Sequence, residues 1–280
     1  MKRMFFAVVV CVCCAMMSGC AGWRGEKVGA YKIDPNAHSA ITPMPSLYDW
    51  WMPRHQAVVD RVKQGNVDLI FIGDSITHDW EGNGKETWDK YYAKRNAVNM
   101  GFSGDYTQHV LWRLDNGEIT GISPKLAIIM IGTNNSNGSD NTAKEIGEGI
   151  IAICQKLRKD LPNTKILILA IFPRGEKPSA QREKNAEASK LASTIADNKW
   201  IYYMDINDKF LDKDGTLPND IMPDFLHLNA KGYQIEAQAI EPMVEKLMGA
   251  KPLTIFNLRL TIVKHERSQP ASSLKLLLVQ

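Results

Sequence analysis

Between residues 67 and 205 the chain alternates short, nearly unbroken apolar runs with longer stretches of helical period. The runs fall at 67–72 (VDLIFI), 96–100 (NAVNM), 126–131 (LAIIMI), 165–172 (KILILAIF) and 199–205 (KWIYYMD). Continuous rather than alternating hydrophobicity means strands covered on both faces, as in a parallel sheet. Helical segments are expected near 48–65, 85–94, 105–115, 142–160, 180–197 and 229–248, with Pro53 marking the start of the first and Pro162 closing the fourth. Trp50 and Trp51 could pack on the core or face a ligand, and packing on the core or at the lip of a site is the expectation. The alternation predicts one doubly wound α/β domain over residues 49–248, a five-stranded parallel sheet flanked by helices. Such sheets place their sites beyond the carboxyl ends of the strands.

The flanks follow another pattern. Lys2 and Arg3 precede an apolar run, FFAVVVCVCCAMM (5–17), too short to span a bilayer comfortably, and small residues lead to Cys20. Residues 1–20 therefore read as a secretory signal rather than a transmembrane helix. The ending MSGC resembles a bacterial lipobox, with Met17 where leucine is usual, which implies lipidation at Cys20 and a lipid-anchored protein of the cell envelope. Ordinary cleavage nearby would instead give a periplasmic or secreted form. Residues 21–48, rich in Gly, Pro, Ser and Asn, read as a tether. Residues 249–280 contain one strand-like stretch, LTIFNLRLTIV, and suggest no function.

Composition narrows the classes. Once the signal is removed Cys154 is the sole thiol apart from Cys20, and it sits in a helical pattern as a buried, inert side chain. The formal net charge of +3 falls to about +1 without Lys2 and Arg3, and no block of five like charges occurs. A nucleic-acid groove or polybasic membrane patch is not expected. No Cys/His cluster has zinc spacing, GNGKET (82–87) lacks the P-loop pattern, and GTNNSNGSD (132–140) follows no dinucleotide fingerprint, so no metal and no cofactor is expected.

Chemistry-bearing residues gather at the strand ends. The first strand runs into GDSIT, the second into MGFSGD (100–105) and the third into IGTNN (131–135), while MPDFLHLNAKGY (222–233) precedes the last helix. These clusters supply a serine, a glycine backbone amide, an asparagine amide and an Asp-x-x-His pair. Acyl transfer needs that inventory: a nucleophile, a base, an orienter for the base, and donors for an oxyanion. The G-x-S-x-G elbow of α/β-hydrolases is absent. Taken singly, Ser75 would read as a helix N-cap, Asp74 as the cap of the following turn, and Asp224 with His227 as a surface pair. His78 lies one turn beyond Ser75 and is a rival base with poor reach. His109 is expected to pack or line the rim; His38, His55 and His265 have no partners that suggest chemistry.

In their order, the four clusters resemble the blocks of the SGNH (GDSL-type) hydrolases. GDYTQHVLWRLDNGEI (104–119), IGTNN, PRGEKP (173–178), REKNA (182–186) and DFLHL (224–228) resemble in particular the catalytic subunits of platelet-activating factor acetylhydrolase Ib. The resemblance spans about residues 66–248 and implies a flavodoxin-like domain and a cofactor-free serine esterase. It implies Ser75 as nucleophile, His227 as base and Asp224 as its orienter. It further implies an oxyanion hole from the Ser75 and Gly104 N–H groups and the Asn134 amide, and an acyl pocket shaped by Ile76, Thr133 and Leu226. The expected substrate is a short-chain, acetyl-type ester, with an exported carbohydrate O-acetylesterase the leading reading. A lysophospholipase or lipid acetylhydrolase is the alternative among enzymes, and a non-catalytic carbohydrate- or lipid-binding module the alternative outside them. The expected partners are a small ester or acetylated carbohydrate and a membrane reached through the anchor alone; nucleic acid is excluded and a homodimer left open.

Overall fold

Each of the five apolar runs forms a strand, and together they make one parallel sheet. In the computed structural model, which describes residues 38–249, the strands are β1 (Leu69–Gly73), β2 (Ala97–Gly101), β3 (Leu126–Met130), β4 (Lys165–Leu169) and β5 (Ile201–Met204). Their order across the sheet is β2-β1-β3-β4-β5, parallel throughout, with Gly73 of β1 level with Gly101 of β2 and Met130 of β3. The signal segment with Cys20, residues 21–37, and residues 250–280 with His265 lie outside the described residues.

Seven helices flank the sheet among the described residues: α1 (Trp51–Lys63), the single turn α2 (Ser75–His78), α3 (Lys85–Tyr91), α4 (Thr107–Asp115), α5 (Ala143–Asp160), α6 (Ala180–Ser193) and α7 (Ala230–Met248). The period-2 geometry of the strands divides the core in two. Ile70, Ile72, Ala127, Ile129, Ile166 and Ile168 pack with α1, α4, α5 and α6. Leu69, Phe71, Leu126, Ile128, Leu167 and Leu169 pack with Trp80, Tyr92 and α7. Local signals set the helix starts. Thr142 and Glu145 exchange reciprocal backbone bonds as a capping box, Ser179 caps α6, and the Asn229 side chain accepts from Gly232 N–H to open α7. Cys154 is buried on α5, and burial pushes its thiol pKa up. None of the described helices is long and apolar enough to cross a membrane.

One expectation needs correction. The end of the expected 21–48 tether is docked. Ser39–Ile41 form a 3-10 turn in which Ala40 and Ile41 are buried, and Thr107 Oγ1 donates to the Ala40 carbonyl at 2.7 Å. His38 Nε2 meets Glu148 Oε2 at 2.7 Å, and Asn141 Nδ2 donates to Ser39 Oγ at 3.0 Å. The polar, Pro-containing segment is ordered by helices α4 and α5 rather than by any periodicity of its own. It then crosses the carboxyl end of the sheet to reach α1, which begins at Trp51 with Pro53 inside its first turn, where a missing N–H costs nothing.

Candidate active site

The site lies where the chain leaves β1, β2 and β3, at the point where strand order switches direction. Gly73 ends β1 because nothing larger fits: a Cβ there would stand 2.1 Å from Thr77 Oγ1 and 2.4 Å from the Met130 carbonyl. The chain turns at once into α2. Asp74 caps it, its Oδ1 accepting from Ile76 N–H at 3.1 Å, and Ser75 is its first residue. The Ser75 N–H, in the first turn, has no intrahelical acceptor and remains free for a ligand. The Tyr233 hydroxyl of α7 donates to the Ile76 carbonyl at 2.6 Å and pins the turn from below.

His227 arrives from the loop before α7. Its Nε2 stands 2.8 Å from Ser75 Oγ, and its Nδ1 stands 2.6 Å from Asp224 Oδ2. With Nδ1–H donating to the carboxylate, Nε2 is left to accept the serine proton. Asp224 also organises the turn, since its Oδ1 accepts from the N–H groups of Leu226 (3.1 Å) and His227 (2.8 Å). Phe225 between them sits at φ +57°, an uncommon region for a side chain of its size. Bonds from Phe225 N–H to Met222 and from Gly175 N–H to the Phe225 carbonyl hold it there. Partial burial pushes the Asp224 pKa upward, but bonds from the His227 side chain and backbone outweigh it and hold the carboxyl below its ordinary range.

Gly104 follows β2 at φ +79°, a conformation that favours glycine. Asn134 follows β3, and its Nδ2 donates to the Asp105 carbonyl at 2.9 Å. A side-chain amide carries two hydrogens, so one remains for a second acceptor. Asp105 thus joins both expected oxyanion donors, next to Gly104 in the chain and bonded to Asn134 through space. Its buried carboxylate accepts Trp51 Nε1 at 2.6 Å and Arg113 Nε at 2.9 Å. Arg113, fully buried, also pairs with Glu118, which meets His55 Nδ1 at 2.9 Å. Its guanidinium carbon lies 3.9 Å from the centre of the Phe102 ring.

Two roles were not visible in the sequence. Asp105 read as part of a family stretch, and Arg174 as part of PRGEKP. Arg174 Nη1 reaches the Thr133 carbonyl (3.1 Å), Thr133 Oγ1 (3.2 Å) and Asn137 Oδ1 (3.1 Å), fixing the loop that carries Asn134. The signal was its place beyond the end of β4. Burial lowers its pKa, while Asp74 and Asp224 act the other way. Asp74 is fully buried, with Oδ2 unpartnered. Desolvation, helped by Asp105, pushes its pKa up to about 7 against the Ile76 N–H bond, His227 and Arg174.

The pocket residues separate. Ile76 and Thr133 are 2% and 1% exposed, one packed in the core and the other bonded to Arg174, and only Leu226 keeps partial exposure. His78 is occupied elsewhere, its Nδ1 3.0 Å from Ser103 Oγ, and burial lowers its pKa. His109 stacks edge-on against Trp51 and Tyr106, while His38 and His55 do have partners, the carboxylates of Glu148 and Glu118. Clefts of about 390 and 410 Å³, one beside β2 and one between α5 and α6, contain none of the candidate residues. No three His, Cys, Asp or Glu side chains among the described residues are grouped to hold a metal ion.

Comparison with known proteins agrees with this chemistry. Residues 71–235 match the GDSL-like Lipase/Acylhydrolase family. The chain belongs to that family. Over 205 residues it is 36% identical to the platelet-activating factor acetylhydrolase IB subunit alpha2 of Homo sapiens, covering 73% of this chain and 87% of that protein. It is 34% identical over 218 residues to the alpha1 subunit of Bos taurus, covering 77% and 92%. Among solved structures, a GDSL-like lipase from Bacteroides thetaiotaomicron superimposes with a TM-score of 0.54 at 19% identity, covering 71% of this chain and 98% of that one. A variant of an acetyl-xylooligosaccharide esterase from Geobacillus gives 0.52 at 19%, covering 67% and 96%. At such identities the structural matches establish the fold alone. As a GDSL acylhydrolase, the protein is a carboxylic ester hydrolase.

Proposed function

We propose that this acylhydrolase removes short, acetyl-type acyl groups from a carbohydrate through Ser75, His227 and Asp224. The observation that carries the reading is the continuous relay from Ser75 Oγ through His227 to Asp224, at 2.8 and 2.6 Å. Ser75 Oγ attacks the ester carbonyl while His227 Nε2 takes its proton. Asp224 holds the imidazole in the required tautomer and stabilises the imidazolium. The Ser75 and Gly104 N–H groups and the second Asn134 amide hydrogen receive the oxyanion. His227 then returns the proton to the leaving alcohol, and water repeats the sequence on the acyl-enzyme.

A small acyl group is favoured by the likeness to relatives named as acetylhydrolases. The carbohydrate follows from the expected export signal and Cys20 anchor, which would bring the enzyme to external polymer. The curated relatives named as acetylhydrolases of platelet-activating factor favour a second reading, a lipid ester. Ser75→Ala in a folded variant should lower kcat on p-nitrophenyl acetate by about 10⁴-fold or more. A loss within tenfold would place the nucleophile elsewhere. A series of acetate, butyrate, octanoate and laurate esters should show rates falling steeply after the shortest, and a preference for laurate would overturn the short-acyl reading. Faster release of acetate from an acetylated glycerolipid than from an acetylated sugar would favour the lipid reading.

A further inference from the structure

The segment that crosses the sheet end carries the largest exposed apolar side chains among the described residues: Met44, Leu47, Tyr48, Trp50 and Met52. Two of these are placed at the site. A Cβ on Gly104 would lie 3.3 Å from Tyr48 Cε2, so the Tyr48 ring rests against the glycine proposed to supply an oxyanion donor. The Trp50 ring is stacked with Tyr48, centroids 6.2 Å apart and planes within 15°. Behind it lie the rings of His78 at 5.8 Å and Phe102 at 6.5 Å, which fix its orientation. Both rings nevertheless remain open, Tyr48 at 59% and Trp50 at 39% exposure. A chain that can bury Trp51 and Trp80 almost completely has left this pair in water beside Gly104 and His78.

We propose that Tyr48 and Trp50 form a shelf on the Gly104 side of Ser75, on which a sugar ring of the acetylated substrate stacks. The proposal rests on the carbohydrate-ester reading and specifies what holds the leaving-group side. The C–H face of a pyranose is flat and apolar, and an aromatic face complements it, while its hydroxyls stay at the rim within reach of polar groups. The rim is of that kind: Ser103 Oγ bonds His78, and the Tyr106 hydroxyl donates to Asp140 at 3.1 Å. A long acyl chain would need an enclosed apolar groove, and this surface is open. A membrane is disfavoured by charge. No Lys or Arg occurs from residue 39 to 53, and the sole charge of that stretch is the exposed carboxylate of Asp49, which anionic headgroups repel.

The test compares the full-length protein with Trp50→Ala, Tyr48→Ala and Trp50→Phe on acetylated xylobiose and on p-nitrophenyl acetate. Each alanine variant should lower the ratio of kcat/KM for the sugar to that for the small ester by about tenfold, mainly through KM, and Trp50→Phe should restore most of it. Tyr48 is exposed, so its variant keeps the test valid should Trp50→Ala fold poorly. A ratio unchanged in the alanine variants, with the parent active on acetylated xylobiose, would overturn the shelf alone. A parent active on p-nitrophenyl acetate but inert on acetylated sugars would overturn the carbohydrate reading and the shelf with it. Binding to phosphatidylcholine–phosphatidylglycerol vesicles that Trp50→Ala abolishes would assign the rings to a lipid surface instead.

Discussion

Asn134 shows how much of one side chain's role depends on what holds it. Its Nδ2 already donates to the Asp105 carbonyl, and Arg174 grips Thr133 beside it, so the amide proposed to receive the oxyanion is held in place before substrate arrives. A preorganised donor stabilises charge that develops in the transition state and adds little to the ground state. Asn134→Ala should therefore lower kcat about 10²–10³-fold with KM nearly unchanged. Steady-state kinetics on p-nitrophenyl acetate decide it, and a raised KM with unaltered kcat would make Asn134 a binding residue. The relay that the structure assembles from Ser75, His227 and Asp224 was legible in the chain because Ser75 lies just past an apolar run and the Asp224–His227 pair just before a helix. Arg174 and Asp105 were not, because their meaning comes from atoms far away in sequence. Ile76 was read as pocket-lining on resemblance, and nothing in its identity could reveal that it would be spent on the core.

At the level of elements, the strands were the most legible and the segment before α1 the least. A buried strand announces itself by continuous hydrophobicity, whereas residues 38–48 dock through one buried alanine carbonyl, a histidine and a few backbone atoms, which leave no period to detect. Residues 105–115 were read as a helix within the family stretch 104–119, yet that stretch also carries Asp105, Arg113 and Glu118, whose buried network with His55 ties α1 to the loop after β2. Charges desolvated together are costly to separate, because removing one leaves the others unpaired. Arg113→Met keeps much of the volume but strands the carboxylates of Asp105 and Glu118. It should destabilise the fold by about 3–5 kcal/mol, read from urea midpoints. A loss below about 1 kcal/mol would mean that water or relaxation reaches the network.

For the whole molecule, α7 couples the site to the far face of the sheet and brings with it a pH dependence that belongs to folding. One helix carries Tyr233, which holds the Ile76 carbonyl, and, three residues on, Glu236, which is fully buried with Oε2 unpartnered. The Tyr92 hydroxyl nearby is also unpartnered, and Glu236 helps raise the pKa values of both Tyr92 and Tyr233. Desolvation pushes the Glu236 carboxyl up from 4.5 to about 8. Between those values the folded protein retains a proton that the unfolded chain releases, so this group makes stability fall as pH climbs from about 4.5 to about 8. Below that window both states are protonated and the effect vanishes. Glutamine cannot ionise, so Glu236→Gln should gain on the parent steadily across the window, by about 1–4 kcal/mol at its upper end. Asp74, raised in the same direction, is present in both proteins and cancels from the difference. Urea unfolding of the two proteins at several pH values supplies the measurement. A stability difference that stays constant with pH would show that Glu236 is ionised in the fold and has found a partner there.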